Sequence, residues 1–308
     1  MLEFIINPAG GAGQTMVLWN RVEKILQEKA VPYQAVFSTP SKGITDIVRE
    51  LTSAGSEKNI VIVGGDGSMN EAVNGIADFE KTNVGFISCG SGNDLARSMK
   101  LVSDPEKVID VLAREAVVRR LDVGEVRWTD DGGQEHMRRF NISSGVGFDA
   151  EICEEAERSR FKELLNKMSV GKLIYIVTAV RVIFQAKWIP AVLKTDDREI
   201  HADRLLFAAA MNQPYEGGGF RFGPDASPTD GTLDVCIAAG LKQKDFFRIF
   251  PYAYSGRHVE FDGVDVLQTR HFSIECESPM WLHTDGEICA EVTNADFRII
   301  ENKMRFIM

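Results

Sequence analysis

Ile60-Val61-Ile62-Val63-Gly64-Gly65-Asp66-Gly67-Ser68-Met69-Asn70-Glu71 is the stretch from which the fold of this chain is read. An apolar, β-branched run gives a strand, and Ala72, Val73 and Ile76 continue beyond it at helical spacing. Three glycines and one aspartate lie between. Glycine has no Cβ and accepts positive φ, so backbone N–H groups in such a turn can converge on an anion. The helix that follows turns its partly positive N-terminus to the same spot. Asp66 would repel a phosphate on its own, so it points to a cation, or to a proton to be moved. The turn reads as a nucleotide phosphate site with chemistry attached.

The same strand–turn–helix unit recurs on both sides. Phe4-Ile5-Ile6 runs into Asn7-Pro8-Ala9-Gly10-Gly11-Ala12-Gly13 and a helix through Leu18, Val22, Ile25 and Leu26. Tyr33 to Phe37 is a strand and Ile44 to Leu51 a helix. Val84 to Ile87 leads into Ser88-Cys89-Gly90-Ser91-Gly92-Asn93-Asp94 and a further helix, and Asp104-Pro105 starts another. Alternation of this kind predicts a parallel sheet with helices on its faces, and ligands at the carboxyl ends of the strands. Three glycine-rich turns are thus expected along one edge.

Near Leu121-Asp122 the pattern changes. Short β-like runs follow, at Val123–Trp128, Arg139–Ser143, Ala191–Thr195, Leu205–Met211, Leu233–Ala238, Phe272–Cys276 and Met280–His283, with turn signals at Asp131-Gly132-Gly133 and Asp230-Gly231. One long helical stretch, about 151–184, interrupts them. The expected architecture is an α/β N-terminal domain with a parallel sheet and glycine-rich nucleotide loops (1–121 plus a returning 295–308), and a mainly antiparallel β-sandwich domain with a helical insertion (122–294).

Composition narrows the function classes. The net charge of −10 lacks the basic footprint of a nucleic-acid binder. Five cysteines without a CxxC pair indicate neither a zinc site nor a disulfide framework, and reduced, packed thiols are expected. Met1 to Ile6 has no basic region of a signal peptide. The longest nearly apolar run, Leu173 to Phe184, falls short of the ~20 residues that span a bilayer. A cytoplasmic protein is expected, with at most peripheral membrane contact. No GxxxxGK[ST] or GxGxxG motif is present.

Asn7-Pro8-x-x-Gly11-x-Gly13, Gly64-Gly65-Asp66-Gly67-Ser68-x-Asn70-Glu71 and Gly90-Ser91-x-Asn93-Asp94-Leu95-Ala96-Arg97 together resemble the catalytic domain of the diacylglycerol kinase family. The resemblance continues through Asn141, Gly145-x-Gly147-Phe148-Asp149-Ala150, Gly217-Gly218-Gly219, Pro224-x-Ala226, Asp230-Gly231-x-Leu233-Asp234-Val235 and Asp285-Gly286-Glu287. It implies an ATP- and Mg²⁺-dependent lipid kinase, acting on diacylglycerol or a related lipid in phospholipid biosynthesis. ATP would lie on Asn7, Pro8, Ala9, Gly10 and Gly11 and on Gly64, Gly65, Asp66, Gly67, Ser68, Asn70 and Glu71. Gly90 and Asn93 would shape the third loop, and Thr39 and Ser91 would add hydroxyl contacts. Asp66, Asp94 and Asp122 would organise Mg²⁺ through water, as this ion prefers. Glu287 would be the general base, in the interdomain cleft. A structural metal would sit on Asp230 with the carbonyls of Ser227 and Thr232.

Plainer roles stand beside these. Asp122, Asp230-Gly231 and Asp285-Gly286 are all good turn sequences. No lysine follows the Asn7 turn until Lys24, so Arg97 is a candidate to neutralise the γ-phosphate, beside its plainer reading as an exposed helix arginine. His201, His258, His271 and His283 show no metal spacing and read as structural or surface residues. The stretch 158–190 mixes Arg158, Arg160, Lys162, Lys167, Lys172, Arg181 and Lys187 with apolar residues and Trp188, as an interfacial helix would, or as an ordinary amphipathic one. Exposed sheet edges in the second domain would permit a homodimer. Two other functions stay open: a soluble kinase resembling NAD kinase or phosphofructokinase, and a silent nucleotide or lipid sensor.

Overall fold

The computed structural model describes residues 1–113, 118–158 and 181–308. The centre of the long helical stretch, and most of the basic stretch 158–190, lie outside the described residues. The chain divides into two units, Met1–Asp122 with Glu301–Met308, and Val123–Ile300.

In the first unit β1 (Leu2–Ile6), β2 (Tyr33–Phe37), β3 (Lys58–Gly64) and β4 (Thr82–Ser88) alternate with α1 (Gln14–Glu28), α2 (Ile44–Thr52), α3 (Asp66–Gly75), α4 (Asp94–Ser98) and α5 (Pro105–Ala113). The strands lie in the order β2-β1-β3-β4, all parallel, with Ile6 opposite Val63 and Val63 opposite Ile87. The apolar runs are apolar because helices bury the sheet: Phe4, Ile5, Ile6 and Ile60 to Val63 are inaccessible to solvent. Trp19, Val22 and Leu26 of α1 pack with Ile109 and Leu112 of α5 against this sheet. This register brings the C-terminal ends of β1, β3 and β4 side by side, so the turns that follow them start from one edge.

The end of the chain joins this unit. Arg305 and Phe306 pair in parallel with Asn83 and Val84 of β4. The returning segment begins at Glu301 rather than at 295, because residues 294–298 are still paired with the preceding strand, Arg298 opposite His271.

The second unit is antiparallel. Its strands are the latter part of β5 (Val118–Thr129), β6 (Glu135–Phe140), β7 (Ser143–Gly147), β8 (Ile189–Thr195), β9 (Glu199–Met211), β10 (Leu233–Ala239), β11 (Val264–Thr269), β12 (His271–Thr284) and most of β13 (Glu287–Ile307). The order is β11-β10-β9-β7-β12-β13, with β5 and β6 as a hairpin. The long strands β9 and β12 pair with β7 along one half and with β8 along the other. The pairing of β12 shifts between Glu275 and Met280, on either side of Pro279, which has no N–H for a ladder. Leu193, Phe272, Leu282 and Phe297 fill one core, and Phe148, Phe207, Phe246 and Ile249 another. The helix α6 (Phe148–Arg158) follows β7 directly, and a second helix spans Gln243–Ala253.

Three parts of the second unit depart from the sequence reading, the first being β13, a 21-residue strand where no β-like run was read after His283. The run Arg139–Ser143 is no single strand, since β6 ends at Phe140 and β7 begins at Ser143. Between them the N–H groups of Asn141 and Ile142 turn to the Asp285 carboxylate and leave the ladder. β11 was not anticipated, because Val264-Asp265-Val266-Leu267-Gln268-Thr269 alternates too weakly to stand out.

Candidate active site

The three glycine turns of the first unit touch one another. Asn7 closes the first: its Oδ1 accepts the Ala9 N–H at 3.1 Å and its carbonyl the Gly10 N–H at 3.0 Å. Its Nδ2 donates to Ser68 Oγ at 3.1 Å, which ties the first turn to the start of α3. The Cys89 N–H donates to the Gly64 carbonyl at 2.7 Å and ties the second turn to the third. A Cβ on Gly90 would stand 2.8 Å from the Gly65 Cα, and one on Gly11, where φ is +56°, would stand 2.6 Å from the Cys89 carbonyl oxygen. Backbone meets backbone at both places, so no side chain fits. Asn93 holds the third turn at φ +54°, its Oδ1 accepting the Gly90 N–H at 2.7 Å and the Ser88 hydroxyl.

Two helix N-termini open from these turns. α1 starts after Gly13 and α3 after Gly65, neither with a side-chain cap. α4 differs: Asp66 accepts the N–H groups of Asp94 at 3.0 Å and Leu95 at 3.3 Å. The aspartate inside the glycine turn therefore binds the second turn to the third. Asp94 is buried and ion-paired with Arg97, whose guanidinium also donates to the Gly92 carbonyl at 3.0 Å. Arg97 thus belongs to the third turn itself and is not an isolated surface cation.

Other sequence-derived candidates have different places. Glu71 Oε2 accepts the Ile44 N–H at 3.0 Å, so this carboxylate caps α2. Asn70 is buried, its carbonyl accepting from Asn74 at 2.8 Å. Thr39 is exposed beyond β2 and hydrogen-bonds with Ser41 and the Lys42 N–H. Pro8 and Ala9 lie in the first turn, Gly67 is in the first turn of α3 and Ser91 is exposed on the third turn. Asp122 is buried and accepts the Asn302 N–H at 2.7 Å, fastening the returning chain end. Asp66 and Asp94 are neighbours across the second and third turns, and among the described residues these two and Asp122 do not form a set of three with ligand atoms within 4.8 Å of one another. Each is engaged with backbone or with an arginine.

In the second unit Asp285 and Gly286 have φ of 50° and 85°, between the paired residues Thr284 and Glu287. Two consecutive positive φ values make the two-residue turn that suits an antiparallel hairpin. The Asp285 carboxylate accepts three backbone N–H groups, from Asn141 at 2.9 Å, Ile142 at 2.8 Å and Ser143 at 3.1 Å. Glu287, half-buried, is the first residue after the turn.

Sequence reasoning missed the group beneath that turn. Among the described residues, Asp149, Glu216 and His283 are the one set of three whose ligand atoms lie within 4.8 Å of one another. All three are buried. His283 Nε2 lies 3.0 Å from Asp149 Oδ2 and 3.2 Å from Glu216 Oε1, and Nδ1 accepts the Gly286 N–H at 3.2 Å. The Nε2 proton faces both carboxylates, an arrangement that fits a buried ion pair. Burial alone would lower the histidine, but the Glu216 and Asp149 carboxylates outweigh it and hold it up at about 9. The only signal in the sequence was Asp149 in Gly145-x-Gly147-Phe148-Asp149-Ala150, since residues 149, 216 and 283 are remote along the chain. The remaining histidines are structural or superficial: His201 pairs with Glu199, His271 with Asp296, and burial pushes His258 down to about 4.

The Asp230 segment is the turn its sequence suggested. Asp230 Oδ1 accepts both the N–H and the hydroxyl of Thr232, at 3.0 and 2.8 Å, and Ser227 Oγ bonds with Thr229 Oγ1. Burial, with the carboxylates of Asp230 and Asp225, pushes Asp234 up to about 6. No described helix is long and apolar enough to cross a membrane.

Residues 1–126 match the family described as diacylglycerol kinase catalytic domain, and residues 142–307 the YegS C-terminal NAD kinase beta sandwich-like domain. A protein of Mycobacterium tuberculosis named diacylglycerol kinase is 24% identical over 284 residues, covering 92% of this chain and 87% of its own. A solved structure from Bacillus anthracis, titled as a diacylglycerol kinase, superposes with a TM-score of 0.70 at 18% identity, covering 99% of this chain and 96% of that one. An NAD kinase from Archaeoglobus fulgidus in complex with ATP superposes with a TM-score of 0.55 at 13% identity, covering 100% and 94%. At these identities the two structures show the fold.

Proposed function

The chain belongs to the family that joins a diacylglycerol kinase catalytic domain to a YegS C-terminal NAD kinase beta sandwich-like domain, and on that premise we propose that it is an ATP-dependent lipid kinase. The γ-phosphate would pass to the hydroxyl of diacylglycerol or a related lipid. The observation that carries this reading is the contact of the three glycine turns, from which the N-termini of α1 and α3 open without side-chain caps. Phosphoryl transfer asks a protein mainly for positioning and charge neutralisation. Backbone N–H groups and helix N-termini supply both for the phosphates.

The residues assigned to ATP are Asn7, Pro8, Ala9, Gly10, Gly11, Gly64, Gly65, Gly67, Ser68, Gly90, Ser91 and Asn93. Asn70, Glu71 and Thr39 support from behind, since Glu71 and Thr39 bond to the segment around α2. The oxygens of Asp66 and Asp94 are already engaged, a donor set that fits a hydrated cation better than direct ligation. Mg²⁺ held there would neutralise charge on the β- and γ-phosphates. Asp122 fastens the chain end. Glu287 would take the proton of the lipid hydroxyl, a task for which Asp285, with three N–H groups on its oxygens, is poorly placed.

The test is incubation with γ-labelled ATP, Mg²⁺ and mixed micelles of a bacterial lipid extract, resolved by thin-layer chromatography beside Glu287→Gln. A labelled lipid that disappears in the variant is the expected result, and its mobility names the substrate class. Labelling of NAD or a sugar phosphate in detergent-free buffer, with no lipid product, would move the reading to a soluble acceptor. Nucleotide binding with no product would indicate a sensor.

A further inference from the structure

The helix Gln243–Ala253 turns Phe246, Ile249 and Ala253 to the core of the second unit. Its other face is unusual for so acidic a chain. The exposed residues from Lys242 to Ser255 are Lys242, Gln243, Lys244, Phe247, Arg248, Pro251, Tyr252, Tyr254 and Ser255. That set holds three cations, three aromatic rings and no carboxylate. Asp245, the one acid of the segment, is half-exposed and caps the start of the helix, accepting the Lys242 N–H at 2.9 Å. Lys242, Lys244 and Arg248 form no ion pair with any described residue.

A second segment extends the face. Phe184 is 65% exposed and Phe247 42%, with ring centroids 5.6 Å apart. Gln243 Nε2 donates to the Ile183 carbonyl at 2.9 Å and fixes this segment against the start of the helix. A phenylalanine left in water forgoes the gain of burial, so two touching and exposed rings favour a cover. Aromatic rings with flexible cations around them suit a bilayer interface: the rings enter the headgroup boundary and the cations meet anionic lipids.

We propose that the face built from Phe184, Lys242, Lys244, Phe247, Arg248 and Tyr254 docks on anionic bilayers. The charge decides the occupant. A chain with net charge −10 is repelled by such a surface as a whole, so contact has to be made where cations are concentrated, and among the described residues this face is such a place. The inference deepens the lipid-kinase reading, on which it rests for its purpose: a kinase for a membrane-resident alcohol must meet the bilayer, and this face would do so without a spanning helix.

The full chain is sedimented, without nucleotide, with phosphatidylcholine vesicles and with vesicles also containing phosphatidylglycerol, at physiological and at high salt. Binding to the anionic vesicles alone, lost at high salt, is expected. Each cation near the surface is worth about 1 kcal/mol, so Lys244→Gln with Arg248→Gln should weaken binding about 30-fold. Phe184→Ser with Phe247→Ser should weaken it too, and neither pair should change ATP affinity or the melting temperature by more than a few degrees. Wild-type protein left in the supernatant, or variants that sediment like wild type, would overturn the proposal. So would a dimer that dissociates in the phenylalanine variant without any vesicle binding. Vesicle binding needs no turnover: a protein that docks but labels no lipid fails as a lipid kinase only, and one that labels micellar lipid but never sediments fails here only.

Discussion

Asp66 accepts the backbone N–H of Asp94 at 3.0 Å, across the gap between the second and third glycine turns. Its carboxylate therefore has a structural role beside the catalytic one proposed for it, and the two can be separated. Asp66→Ala removes the cap of α4 and should cost about 0.5–2 kcal/mol of stability. Asp66→Asn keeps an acceptor and should recover most of that loss. On the proposed reading the lost charge serves the phosphoryl transfer, and lipid phosphorylation should fall by about 100-fold or more in both. An Asn variant with near wild-type turnover would confine Asp66 to the capping role.

Gly90 offers a sharper test of the turns. The Cβ of Gly90→Ala would meet the Gly65 Cα at 2.8 Å, and no rotamer relieves a contact with backbone. The second and third turns must part, with a stability loss of about 1–3 kcal/mol as in other overpacked sites. ATP affinity, measured by titration calorimetry, should fall by more than the loss at Gly13→Ala. A Cβ at Gly13 meets nothing within 4 Å, although its φ of +90° carries some strain of its own.

The group formed by Asp149, Glu216 and His283 predicts how stability depends on pH. His283 keeps its proton up to about pH 9, whereas an unfolded histidine gives it up near 6.5. Between those values the folded chain binds more protons, so this contribution is complete below about pH 6.5 and is lost as pH rises to about 9. The melting temperature should decline over that window, and His283→Gln should flatten the decline. Gly145→Ala should act likewise, because its Cβ would lie 2.1 Å from Asp149 Oδ2. An unaltered slope in both variants would mean that the proton sits elsewhere.

The parts of this molecule legible in its sequence are those written in consecutive residues. Ile60–Val63 reads as a buried strand because every position is apolar, and Asp285-Gly286 as a turn because positive φ restricts the residue types. The glycine turns are visible for the same reason, and the pairing register then brings them to one edge. What was illegible depends on residues that meet only after folding. Glu71 looks like part of a phosphate turn, yet its carboxylate reaches α2. Asp122 looks like a ligand, yet it holds Asn302, 180 residues further along. His283 gains Asp149 and Glu216 only when α6, β12 and the segment after β9 come together.

Glu287 and Asp285 sit two residues apart, and exchanging each for its amide should give opposite phenotypes. Asp285 stabilises the hairpin through three N–H groups, and its backbone N–H donates to the Ser143 carbonyl at 2.8 Å. Asp285→Asn keeps the shape but loses the charge that these donors favour, so the melting temperature should drop. Glu287 is half-buried on the strand just after the turn, where replacement disturbs little packing. Glu287→Gln should leave the melting temperature and the KM for ATP near wild type while kcat falls by about 100- to 10,000-fold, the range of a lost general base. The residual activity should also lose the acidic limb of its pH–rate profile. If Asp285→Asn proves the more damaging to kcat at unchanged stability, the base is the turn aspartate, and the three N–H groups then serve to hold it for that task.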